Sequence, residues 1–208
     1  MNPTSLDHVA LWAAERDEIA DFATARLGMH VIERTERFTL VGADARRGKL
    51  TLFEAEGPRD RGALERIGLR VSALPKGERR FELADGLTLT LVEGETDVDF
   101  DLDHVALRSP DPDAAAREWL RFGFSEAGPR RVEVGGAYLE LLPGGVEQTE
   151  RPLLNHLAVL VDEAAPAQEG EFEVADVVDA PNTFAVFVWG PDRVKLEYVE
   201  HKPTFSLR

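Results

Sequence analysis

The sequence predicts an α+β fold built from four βαβββ-type modules, two of them with reduced helices, paired into two half-barrel domains. Three observations carry this. The hexapeptide LDHVAL stands at Leu6–Leu11 and again at Leu102–Leu107, an offset of 96 residues, and LNHLAV follows at Leu154–Val159. After each LDHVAL comes a helical stretch closed by a glycine, Gly28 or Gly123, and then short alternating strands. An internal repeat of this kind is a statement about architecture. Each module's sheet has one apolar face to cover, and pairing two modules makes a half-closed barrel around a cavity.

Taken in order, Leu6–Trp12 alternates as a strand, and Glu15–Leu27 reads as an amphipathic helix with Ile19, Phe22, Ala23 and Leu27 on one side. Met29–Arg34, Phe38–Val41 and Lys49–Phe53 are the strands that follow. The turn cluster Gly57–Gly62 leads to a second module opening at Ala63–Ser72, where Ala73–Gly77 leaves room only for a turn. Arg80–Ala84 and Leu87–Val92 flank Asp85-Gly86, a hairpin signal. Acidic Glu93–Asp101 reads as a linker. In the third module Asp111 is the expected N-cap, with Pro112 at the first helical position. Ala115, Ala116, Trp119 and Leu120 give that helix its buried face, and Arg130–Val134 and Ala137–Leu142 are strands. Pro143–Gly145 breaks the chain. The fourth module has a shortened helix region at Asp162–Gly170, then strands at Phe172–Val178, Thr183–Trp189 and Val194–Val199. The expected domains are therefore residues 1–93 and 102–200, joined by 94–101 and followed by a tail, 201–208.

Composition narrows the function. With 43% hydrophobic and 30% charged residues, the chain has the content of a globular protein, and no apolar run approaches the roughly 18 residues of a membrane span. A start of MNPTSLDHVA lacks the basic and apolar stretches of a secretory signal, so a cytoplasmic location is expected. The formal charge of −15 argues against nucleic acid as a partner and disfavours anionic ligands unless local Arg or Lys compensate. No cysteine is present, so a metal would be held by His, Asp or Glu. Partners reduce to a small-molecule substrate, on a monomer or homodimer.

The order and spacing of these elements resemble the vicinal oxygen chelate superfamily, which includes glyoxalase I, bleomycin-resistance proteins and extradiol ring-cleaving dioxygenases. The resemblance spans nearly the whole chain. It rests on the LDHVAL-type strand, on helices ending in Gly28-Met29 and Gly123-Phe124, and on FVWGPDRVKLEYVE, which is similar to the family's final hairpin. It implies that each module offers a metal ligand from its first or last strand. Carried onto this chain, the implied ligands are His104, Glu140, His156 and Glu197, holding one divalent ion: Fe, Mn, Ni, Co or Zn.

The residues themselves agree. In Tyr138-Leu139-Glu140-Leu141-Leu142 an uncompensated buried carboxylate would be expensive, and a metal ion removes that cost. Two imidazoles and one or two carboxylates leave open positions for substrate oxygens. In the first half the equivalent positions read as His8, Leu52, Arg66 and Thr90, so His8 is expected to be a packed remnant. Tyr138, Leu142, Lys195 and Trp189 are expected to line the substrate pocket, Lys195 meeting an anionic substituent. With four ligands, and Glu140 or Glu197 acting as base, the expected activity is that of a glyoxalase- or epimerase-type lyase or isomerase. An Fe(II) extradiol dioxygenase is the alternative, although Phe172–Trp189 holds neither the His nor the Tyr that the resemblance implies as acid–base helpers. A metal-free small-molecule binding protein is the third reading.

Overall fold

Apolar residues at every second position produce strands throughout the chain, and the computed structural model describes residues 1–45, 47–145 and 149–205. The first module comprises β1 (Ser5–Ala13), α1 (Arg16–Phe22), β2 (His30–Arg34), β3 (Phe38–Gly42) and β4 (Lys49–Glu54). Helix α1 runs on into a π-helical turn, Ala23–Leu27, which Gly28 ends in the left-handed conformation at φ 81°. The second module has β5 (Leu64–Val71), a short β6 (Arg80–Glu82) and β7 (Thr88–Glu93). The third has β8 (Asp101–Ser109), α2 (Pro112–Trp119), β9 (Ser125–Gly128), β10 (Arg131–Val134) and β11 (Ala137–Pro143). Asp111 caps α2, accepting from the Ala114 amide at 2.9 Å, with Pro112 beside it as the sequence predicts. The fourth contains β12 (Leu154–Leu160), a single helical turn α3 (Pro166–Glu169), β13 (Val174–Asp179), β14 (Thr183–Trp189) and β15 (Lys195–His201). Strand β9 is not legible in the sequence: Ser-Glu-Ala-Gly is polar and exposed, and it pairs only at a sheet edge.

The modules do not pair as consecutive halves. An eight-stranded sheet, in the order β13-β14-β15-β12-β1-β4-β3-β2, joins the first module to the fourth. A seven-stranded sheet, β6-β7-β5-β8-β11-β10-β9, joins the second to the third. The seams are antiparallel, β1 against β12 and β5 against β8. The expectation that residues 1–93 and 102–200 would each close on themselves is therefore corrected: each sheet draws one module from either half. Of the expected tail, 206–208 lie outside the described residues. The two connections between sheets are the Gly57–Gly62 turn cluster and the segment after Pro143. Residues 151–153 of the second run beside Asp60 of the first, with Asp60 N donating to Arg151 O at 2.9 Å and Leu153 N to Asp60 O at 2.7 Å.

One face of the eight-stranded sheet is mainly apolar and enters the core, with Val9, Leu11, Leu50, Leu52, Leu157, Leu196 and Tyr198 each at 0% exposure. The Tyr198 hydroxyl donates to Phe122 O at 3.0 Å, tying this face to the turn after α2. Alternation sends His8, Thr51, Phe53, His156, Phe187, Lys195 and Glu197 to the opposite face.

Because each sheet needs strands from both halves, cutting the chain within residues 94–100 should leave two fragments that do not fold alone. Mixing them should restore a 1:1 complex with native circular dichroism. Two independently folded monomers in sedimentation experiments would contradict the observed pairing.

Candidate metal centre

The β1–β12 seam sets Ala10 opposite His156 and His8 opposite Ala158, so the two imidazoles meet diagonally across it. Strand β15 adds Glu197, the register partner of Ala158. The His8 Nε2 and His156 Nε2 atoms are 3.1 Å apart. Glu197 Oε2 lies 3.3 Å from the first and 2.9 Å from the second. All three side chains are largely withdrawn from solvent, at 14%, 4% and 8% exposure.

The neighbours of the imidazoles decide which nitrogens face inward. His8 Nδ1 contacts Asp7 Oδ1 at 2.8 Å, and His156 Nδ1 contacts Asn155 Oδ1 at 3.1 Å. A carboxylate and an amide oxygen only accept, so both Nδ1 atoms carry a proton and, in the neutral rings, both Nε2 atoms present lone pairs. Glu197 Oε2 is buried without a hydrogen-bond donor. Three acceptor atoms thus converge with no donor among them, which is the arrangement a cation resolves. His8, His156 and Glu197 form a group that could hold a metal ion.

Without a cation, the available positive charge is a proton on His8. Burial opposes it, but the adjacent carboxylates of Asp7 and Glu197 outweigh burial and raise His8 to about 9. Burial also works against the Glu197 carboxylate, yet His156 and His8 hold it down at about 2. His156 is pushed below its ordinary value by burial, with the charges of His8 and Lys195 acting the same way and Glu197 opposing. Behind His8, Asp7 is held by the buried Lys49 ammonium at 2.8 Å to both oxygens, and His201 Nε2 lies 3.5 Å away. This charge-assisted pair locks the carboxylate that orients His8.

The four expected ligands do not come together. His156 and Glu197 stand in the cluster just described, but His104 and Glu140 stand on the seven-stranded sheet. There Arg66 Nε donates to His104 Nε2 at 3.1 Å, and its Nη2 is paired with Glu140 Oε2. Arg131 Nη2 holds the other Glu140 oxygen at 2.6 Å, so Glu140 stays below the ordinary carboxylate range against the pull of burial. His104 Nδ1 contacts Asp103 Oδ2 at 2.8 Å, just as His8 contacts Asp7.

The register explains the exchange. Arg66 faces Ala106 on β8 as His156 faces Ala10 on β1, so a guanidinium occupies the place of the second imidazole. Glu140 is likewise opposite Ala106, the place that Thr51 takes opposite Ala10. The counterpart of Glu140 is therefore Thr51 and not Leu52, which belongs to the core face. His8, expected to be a packed remnant, is a member of the cluster. Of the expected pocket residues, Tyr138 and Leu142 belong to β11, Tyr138 stacking on His104 at 5.1 Å. Lys195 and Trp189 are on the sheet that carries the cluster, paired with each other in register.

Sequence reasoning missed His8, Asp7, Thr51 and the aromatic residues around His156. The available signal was the residue before each repeated His, Asp7, Asp103 and Asn155, a short acceptor placed to orient the ring. Phe53 and Phe187 flank His156, with ring centroids 6.3 and 5.1 Å away, and Trp12 and Phe38 extend this wall from Phe53 at 5.4 and 5.7 Å. A separate cavity of about 630 Å³ lies at the other end of β1 and β8, against Leu6, Arg47, Asp101 and His201. None of the three clustered residues lines it, and its Arg47 is already paired with Asp101.

The sequence matches no protein-family model and no curated protein. Solved structures share its fold. A "putative dioxygenase" from Bacillus subtilis subsp. subtilis str. 168 superposes with a TM-score of 0.73 at 18% identity, over 97% of this chain and 86% of that one. Glyoxalase I from Zea mays gives 0.69 at 14% identity, over 94% and 92%. The cppA protein from Streptococcus pneumoniae TIGR4 gives 0.64 at 16%, over 96% and 99%. The fold expected from the resemblance to the vicinal oxygen chelate superfamily is thus the fold observed.

Purified protein should carry one divalent ion per chain. His8→Ala should lose it and His104→Ala should keep it, as read by elemental analysis. Arg66→His should raise the content towards two, because it places a second imidazole beside His104 and Glu140. Metal retained by His8→Ala but lost from His104→Ala would reverse the assignment.

Proposed function

We propose that this chain is a metal-dependent dioxygenase, with His8, His156 and Glu197 holding Fe(II) and a small molecule chelating it through two adjacent oxygens. The observation that carries this reading is the size of the ligand set. Two imidazoles and one carboxylate converge, and Thr51 stands where a fourth ligand would be. A set of this kind leaves room on an octahedral ion for two substrate oxygens and O₂ together. A fourth carboxylate would take one of those places, but Glu140 is engaged by Arg66 and Arg131 on the other sheet.

Bound Fe(II) would supply the redox chemistry by which both atoms of O₂ enter a catechol-type substrate, opening its ring without an external reductant. The protein's part is to position and to exclude. Asp7 and Asn155 fix the imidazole rings, and Lys49 fixes Asp7. Phe53 and Phe187 keep water from the faces beside His156, where a planar ring would lie.

One observation favours a second reading, a lyase or isomerase that moves a proton next to a carbonyl. A dioxygenase of the expected kind uses a non-ligand His or Tyr beside the metal. This chain has two tyrosines: Tyr198 points into the core, and Tyr138 stands on the other sheet.

Oxygen uptake by Fe(II)-loaded protein with a panel of catechols tests the choice. Uptake of one O₂ per substrate is expected, and Thr51→Glu should abolish it while retaining the metal. If metal is bound and no catechol draws uptake, while solvent deuterium enters an α-hydroxy ketone, the isomerase reading replaces it. Absence of bound metal would leave a binding protein.

A further inference from the structure

Nearly every cation that is withdrawn from solvent in this acidic chain is engaged by a partner. Among the described residues, Arg26, Arg37, Lys76, Arg79, Arg117 and Arg151 make no side-chain hydrogen bond or ion pair, and all six are exposed. Two others make none but are half-buried: Arg59 and Lys195. The Arg59 Nε atom is buried without a partner. Holding a desolvated cation unpaired costs free energy that a buried Arg or Lys normally recovers from a carboxylate. Lys195 stands beside the cluster, and Arg59 stands over Trp12, further along the strand that carries His8.

Lys195 precedes Glu197 by two residues on β15, so it shares the face of the cluster. Leu196 pairs with Leu157, which sets Lys195 beside His156 on the neighbouring strand. Its ammonium lies over Trp189 at 5.3 Å from the ring centroid. Arg193 covers the same indole at 4.2 Å, but it is paired with Glu173 at 2.8 Å. Arg59 lies over Trp12 at 5.7 Å. Trp12 is four residues beyond His8 on β1, again on the cluster's face. Because β15 runs antiparallel to β1, Lys195 and Trp12 both lie on the same side of the row that holds His8 and Glu197. The two free cations therefore lie towards one end of the site, Lys195 on β15 beside His156 and Arg59 over Trp12 on β1.

We infer that the substrate is an aromatic anion, whose chelating oxygens meet the metal cluster and whose carboxylate or similarly charged substituent is received by Lys195, with Arg59 as a second cation at the rim. This rests on the oxygen-chelate reading above and adds the charge of the ligand to it. A tryptophan beneath each cation holds the side chain extended without neutralising it, since a cation–π contact leaves the ammonium and guanidinium donors free. In a chain of formal charge −15, such a local pair is what an anion needs to approach.

The test compares 3,4-dihydroxybenzoate with 3,4-dihydroxybenzamide, which share ring and chelating pair and differ in charge. Dissociation constants are measured without oxygen on Fe(II)-loaded protein by quenching of tryptophan fluorescence, with metal content and circular dichroism checked on every variant. The benzoate should bind about tenfold or more tightly than the amide, the equivalent of about 1.4 kcal/mol. Lys195→Met should remove most of this preference and Lys195→Arg should retain it. Arg59→Met should lower it to a smaller degree. Equal binding of the two compounds by the wild-type protein would overturn the anion assignment and leave the oxygen-chelate reading intact. So would a preference that survives in the double variant Lys195→Met/Arg59→Met. Binding of neither compound to metal-loaded protein would overturn both.

Discussion

Strand β1 lies antiparallel to β12, and most of what is distinctive in this molecule follows from that seam. It brings together two residues 148 apart, His8 and His156, and turns their Nε2 atoms towards one point. It also puts Glu197 within reach, because β15 is bonded to the far edge of β12. The same geometry recurs where β5 meets β8. Each seam joins the first strands of two modules; three of these strands carry the repeated His while β5 carries Arg66 instead, so the fold generates two related sites from one rule.

Charge balance distinguishes those two sites. Where β1 meets β12, three acceptors converge, and the arrangement is satisfied by a cation or by a proton on His8. Where β5 meets β8, the Arg66 guanidinium is already the cation, bridging His104 and Glu140, and Arg131 holds the other Glu140 oxygen. An imidazole, a carboxylate and a guanidinium form a closed set, whereas two imidazoles and a carboxylate form an open one. One site therefore has its acceptors satisfied by its own residues, and the other depends on something added. The Asp–His pair survives in both, as Asp7–His8 and Asp103–His104, with Lys49 and Arg70 respectively holding the carboxylate. The orienting device is common to the two sites, and the ligand set is what differs.

Burial reinforces the division of the eight-stranded sheet. Its core face is mainly aliphatic, with Thr39 and Tyr198 as polar members, and its other face carries aromatic and ionisable residues. Phe53, Phe187, Trp12 and Trp189 there are large, planar and only half-covered, which is costly unless a ring-shaped ligand completes their burial. Lys195 and Arg59 add positive charge without partners. The His8–His156–Glu197 cluster, the half-covered aromatic rings and Lys195 thus share one face of the sheet.

The repeat of LDHVAL, the glycines after the helices and the strand alternation made the modular α+β architecture legible in the sequence. Glu197 and His156 were legible too, because a His in a repeated strand and a Glu in the final hairpin are local features. What the sequence could not decide was which modules share a sheet. Strand pairing depends on which edges meet, and the apolar pattern of β1 is satisfied equally by β5, β8 or β12. Assigning consecutive halves put His104 and Glu140 with His156 and left His8 idle. A one-residue register difference likewise separated Thr51 from Leu52, since alternation exchanges the core face for the opposite face at each step. By itself, then, the sequence determined the modules, their faces and the inventory of ligand types. Only the tertiary structure decided which ligands meet, because the seams join segments far apart in the chain, and nothing local records that choice.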